Sequence, residues 1–83
     1  MIEGLKELIK SSSNQILGQC QSDTDIKDAY SKLVTGIDYM RMIVLLSLPE
    51  YNECYENINT SAKYAYERIN GVNNNGNTNK EQA

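Results

Sequence analysis

Leu45-Leu46-Ser47-Leu48-Pro49-Glu50-Tyr51 decides how this chain folds, because it sets a marked helix start directly after an apolar run. Ser47 is a good N-cap, and Pro49 falls in the first turn, where its missing N–H costs nothing. Glu50 stands where its carboxylate returns a hydrogen bond to the cap. The chain therefore turns at Ser47. Downstream, Tyr51, Tyr55, Ile58, Ala62, Ala65, Ile69 and Val72 recur at alternating intervals of four and three, which is one apolar seam on a helix. Asn70 and Gly71 then tolerate the left-handed conformation that ends helices. This spacing predicts a helix over residues 48–70. Glu50, Glu53 and Glu56 near its start, with Lys63 and Arg68 near its end, complement the helix dipole.

Upstream, the acceptors of Ser22-Asp23-Thr24-Asp25 suit the unpaired N–H groups of a first turn. Ile26, Tyr30, Leu33, Ile37, Met40 and Val44 then repeat the same heptad spacing, which predicts a helix over residues 25–46. The run from Met42 to Leu48 also fits a buried strand, but the upstream periodicity favours helix. Residues 2–20 carry a weaker stripe of Ile2, Leu5, Ile9, Ser12, Ile16 and Cys20, widened by Leu8 and Leu17. Gly4, Gly18 and the polar run Ser11 to Asn14 lower helix propensity, so both one helix and two pieces kinked near Ser13 are open. The expected fold is all-α: an antiparallel hairpin of two long helices with a shorter N-terminal helix, in a single domain over residues 1–71. The Asn-rich segment 72–83 has too little apolar content to offset its ordering entropy and is expected to be disordered.

Composition narrows the chemistry. The 83 residues contain no His, no Trp and no Phe, against six Tyr, and the net charge is -3. Without imidazole there is no general base poised near neutral pH, so the chain is expected not to be an enzyme and to need no cofactor. Glu53 with Glu56, or Asp25 with Asp28, read as solvated helix faces. Asp23, Asp25 and Asp28 lack the Gly and terminal Glu of a calcium loop, so no metal site is expected. Cys20 and Cys54 stand without a zinc pattern and are expected to be reduced, half-buried thiols. Glu3, Lys6, Glu7 and Lys10 interrupt any secretory leader, and the most apolar stretch is too short to span a bilayer, which together suggest a cytoplasmic protein. The charge balance and the two arginines, Arg41 and Arg68, argue against nucleic-acid binding.

Contact surfaces are what remains. With Met40 on the seam, Met42, Leu45 and Leu46 fall on the outer face of the second helix, leaving its end apolar all round. Met40, Met42, Ile43, Leu45, Leu46 and Leu48 are therefore interface candidates, and self-association, most simply as a dimer, is expected of so small a scaffold. Tyr39, Tyr64 and Tyr66 lie off the seams, where Tyr serves recognition or ordinary boundary packing. Arg41 is the one basic residue in the apolar run. It either snorkels, pairs with Asp38, or holds an anionic ligand. Ser31-Lys32-Leu33, followed by Leu48-Pro49 and Tyr55, resembles the helical immunity proteins that protect bacteriocin producers. The Ser-Lys-Leu helix segment is also similar to one in small helical phage proteins that sequester cyclic nucleotides. Neither resemblance carries a residue role. The leading expectation is a self-associating protein that binds a macromolecular partner as an inhibitor, antidote or assembly adaptor. The alternative is a binder of a small anionic, nucleotide-like ligand at a subunit interface around Arg41 and a Tyr.

Overall fold

The computed structural model describes residues 4–71; the tail expected at 72–83, and the seam positions Ile2 and Val72, lie outside the described residues. Three helices follow one another: α1 (Leu5–Gly18), α2 (Asp23–Met42) and α3 (Leu48–Asn70). Among the described residues there is no strand, so the strand reading of 42–48 falls away.

The start of α3 has the geometry its sequence implies. Ser47 Oγ accepts from the Glu50 N–H at 3.2 Å while Glu50 Oε1 accepts from the Ser47 N–H at 2.9 Å, and the helix stops at Gly71 with φ 66°. The α2 start is capped alike: Ser22 Oγ accepts from the Asp25 N–H at 3.1 Å.

Two expectations need correction. First, α2 ends at Met42 rather than near 46. The Leu45 N–H donates to the Met40 carbonyl at 2.8 Å and the Val44 N–H to the Arg41 carbonyl at 3.0 Å, with Val44 left-handed at φ 63°. This is the Schellman pattern, in which the left-handed position is ordinarily glycine. The reversal turns Leu46 inward, where it is 0% exposed. Second, α1 is one uninterrupted helix with no break at Ser13. That side chain is fully buried, and its hydroxyl donates to the Ile9 carbonyl one turn back at 2.7 Å. The helix itself thus supplies the partner that a buried hydroxyl requires.

α3 is the spine. Tyr30 Oη donates to Asn59 Oδ1 and Tyr51 Oη to Asp38 Oδ1, both at 2.5 Å, which fixes α2 antiparallel to α3. α1 runs parallel to α3: Lys6 and Lys10 reach Glu53, Asn14 meets Asn57 and Ser61, and Arg68 reaches Leu17 and Cys20. The core comprises Ile9, Leu17 and Cys20 of the α1 region, Ile26 and Ile37 of α2, Leu46 of the turn, and Cys54, Ile58 and Ala65 of α3. Although consecutive in sequence, α1 and α2 meet each other far less than either meets α3. No described helix is long and apolar enough to cross a membrane.

Candidate functional site

Three surfaces stand out, each built by a different pair of elements. The first is the α2–α3 turn. Met42 (70% exposed) and Val44 (68% exposed) project from it, flanked by the exposed side chains of Tyr39, Ile43 and Leu48. Tyr39 lies three residues before Met42 and four before Ile43, so all three share the end of one helix face. Of the expected interface residues, the structure thus gathers Met42, Ile43 and Leu48 into an exposed apolar end. It removes Leu46 to the core, keeps Leu45 partly covered, and leaves Met40 half-buried against the core. Arg41 is spent locally: its Nη1 donates to the Leu46 carbonyl at 3.1 Å, holding the turn closed. Asp38 takes the Tyr51 hydroxyl rather than Arg41, and that bond pushes the Tyr51 phenol up to about 12.

The second surface is an apolar groove of about 260 Å³ between α1 and α2, walled by Leu5, Leu8, Ile9 and Ser12 on one side and by Leu33, Gly36, Ile37 and Met40 on the other. It exists because both helices lie on α3 without closing on each other. Sequence reasoning missed it: Leu8 is 63% and Ile16 is 45% exposed, although both sit beside the stripe that marks α1 as buried.

The third is a polar cleft of about 420 Å³ between α1 and α3, with Asn14, Gly18, Asn57, Thr60, Ser61, Tyr64 and Arg68 around it. Asn57 Nδ2 donates to the Lys10 carbonyl at 3.3 Å and to Asn14 Oδ1 at 3.2 Å, and Ser61 Oγ also donates to Asn14. Arg68 Nη2 donates to the carbonyls of Leu17 at 3.3 Å and Cys20 at 3.1 Å, completing the C-terminus of α1. A cation there also suits the negative end of the helix dipole. Tyr64 thus joins a site, whereas Tyr66 is exposed outside it. Thr60, Asn57 and Arg68 carry no local signal that marks them, because their partners lie on a different helix.

Charged and titratable groups elsewhere serve the fold. The Glu53 carboxylate bridges Lys10 at 2.7 Å and Lys6 at 3.2 Å, and their hydrogen bonds hold it below its ordinary value. Backbone and side-chain hydrogen bonds from Ser47 likewise lower Glu50. Burial pushes the Cys20 and Cys54 thiols up, towards the protonated and unreactive form. Among the described residues, no three His, Cys, Asp or Glu side chains come together as a metal cluster would require. What these surfaces offer chemically is contact. No family model matches the chain, and no curated protein or solved structure does.

Proposed function

We propose that this chain is a non-enzymatic, self-associating helical protein that works in the cytoplasm by binding a macromolecular partner through the α2–α3 turn, as an inhibitor, antidote or assembly adaptor. The observation that carries the reading is the cluster of Tyr39, Met42, Ile43, Val44 and Leu48, exposed together around a reversal that forces a β-branched residue to φ 63°. Left-handed backbone at a β-branched residue costs roughly 1–2 kcal/mol, and strain of this kind gathers at functional surfaces. Apolar side chains that a chain leaves in water around such a turn are the composition of a contact core, where aromatic residues and Met are enriched and charges depleted. The test is a Met42→Lys/Val44→Lys variant used alongside the wild type to capture partners from the cell that makes the protein. A partner held by the wild type and lost by the variant, at unchanged helix content, supports the reading. Capture indifferent to the substitutions, or none at all, overturns it.

A second reading rests on the α1–α3 cleft, where hydroxyls, amides and one guanidinium converge with no carboxylate among the lining residues. That donor set suits a small anion of the nucleotide kind, with Arg68 in the role that Arg41 was expected to fill. A thermal-shift screen against nucleotides separates the two: a large shift abolished by Arg68→Gln favours the cleft.

A further inference from the structure

We propose that the open α1–α2 groove is the seat of a second copy of this chain, with α1 packed antiparallel on α1 of its partner about a two-fold axis at Ser12. The inference rests on the self-association in the reading above but assigns it to a different surface, leaving the α2–α3 turn for the heterologous partner.

The face of α1 that borders the groove is built to match itself. At 100° per residue, Leu5, Leu8, Ser12, Gln15, Ile16 and Gln19 share one arc of about 100°. Lys6, Glu7 and Lys10, which are all the charges of α1, fall outside it; two of them are engaged with Glu53 on α3. An exposed helix face with no charge and two large apolar side chains is depleted as interface cores are. Leu8 and Ile16 each stand four residues from Ser12, so reversing the helix direction maps one onto the other. A contact between identical patches requires this self-complementarity. Ser12, small and half-buried, leaves room for the axis.

The opposite wall points the same way. Gly36 lies inside α2, where glycine costs roughly 0.5–1 kcal/mol against alanine, yet a Cβ placed there meets nothing within 4 Å. Packing within one chain gives no reason for it, whereas a helix lying in the groove does, since Gly and the nearby Ala29 let it approach closely. The area is also adequate. α1 is 14 residues long, or roughly 21 Å, and two helices side by side present a face roughly 20 Å wide. With side-chain relief that is on the order of 800 Å² per copy, the size of a standard interface. Two α1–α2 pairs facing each other make the four-helix layer that one chain lacks.

Light scattering over a dilution series, crosslinking of Ser12→Cys and a charge-exchange set at Leu8 and Ile16 test this together. Cys20 and Cys54 are buried, so an introduced thiol at position 12 is the reactive one. The expected result is a wild-type dimer and diamide crosslinking of Ser12→Cys far faster than of Ser31→Cys, which lies on the outer face of α2. Leu8→Lys and Ile16→Glu should each weaken the dimer roughly tenfold or more, and the double variant should recover it, because Lys at one position then faces Glu of the partner copy. Both positions are exposed, so helix content should hold. A monomeric wild type overturns the inference together with the self-association it rests on. A wild-type dimer in which Ser12→Cys crosslinks no faster than Ser31→Cys, or in which the double variant shows no recovery, overturns the inference alone. A dimer lost with Met42→Lys/Val44→Lys but kept with Leu8→Lys also overturns the inference, and returns self-association to the turn.

Discussion

α1 has two neighbours and treats them oppositely. Against α3 it is closed and largely polar at the rim: Lys6 and Lys10 on Glu53, Asn14 on Asn57 and Ser61, and Arg68 on the last carbonyls, all around a buried strip of Ile9, Ser13 and Leu17. Against α2 it is open, although Leu5, Leu8, Leu33 and Met40 make that side the more apolar. Apolar content therefore does not locate the closed seam here. The hydrogen-bonded rim sets α1 in parallel register on α3, and the apolar side is left over. The largest expected effect distinguishes the two sides directly. Leu17→Ala, at a fully buried position on the closed side, should cost about 3 kcal/mol. Leu8→Ala, on the open side, should cost less than about 0.5 kcal/mol when measured by urea unfolding of dilute protein. Equal costs would mean that the open groove is filled even then, and the contrast would collapse.

A similar opposition separates the two ends of the α2–α3 hairpin, and a smaller effect tests it. The distal end of α3 stops at Gly71, where left-handed backbone is free of strain, while the turn places Val44 in nearly the same conformation. Val44→Gly should therefore raise stability by about 1 kcal/mol, read as a higher unfolding midpoint, since relief of the left-handed strain exceeds the added flexibility of the unfolded chain. The same substitution removes an exposed apolar group from the turn, so partner capture should fall while stability rises. Loss of stability would show that Val44 contributes packing that its exposure conceals.

These contrasts also mark what could be read from residues alone. Capping is local, so Ser22, Ser47 with Glu50, and Gly71 were legible in full, and the α3 seam from Tyr51 to Ile69 lies buried or half-buried as its spacing implies. The end of α2 was not legible, because valine is the residue least suited to a left-handed stop and nothing short of the folded turn marks it. Nor was the parallel seating of α1. Its polar run, Ser11 to Asn14, resembles a helix break until Ile9 and α3 provide the acceptors and donors, and those from α3 come from about 47 residues away in the chain. The groove was hidden for the same reason: a stripe announces which face is apolar, not which of two neighbours will cover it. The exposed turn was half legible, since the surplus at Met42, Ile43 and Leu48 followed from helix spacing, whereas the burial of Leu46 depended on the reversal.

The smallest expected effect concerns the ion pairs at the open end of the closed seam. Lys10 and Lys6 hold Glu53 below its ordinary value of 4.5, so its carboxylate binds protons more weakly in the folded than in the unfolded chain. Its contribution is therefore fully present above that value and is lost as the pH falls through the depressed folded value. Glu50, lowered in the same direction by the Ser47 cap, adds a parallel loss. Thermal unfolding followed from neutral pH into acid should show stability declining below about pH 4.5. Glu53→Gln should flatten part of that decline at a small cost near neutral pH, because the pairs are solvent-exposed and screened. Glu50→Gln should flatten another part, and because a neutral amide still accepts from the Ser47 N–H, its helix start should persist. A decline unchanged by Glu53→Gln would place the acid sensitivity of the closed seam elsewhere, leaving its neutral contacts, Asn14, Asn57, Ser61 and Leu17, to hold α1 in register unaided.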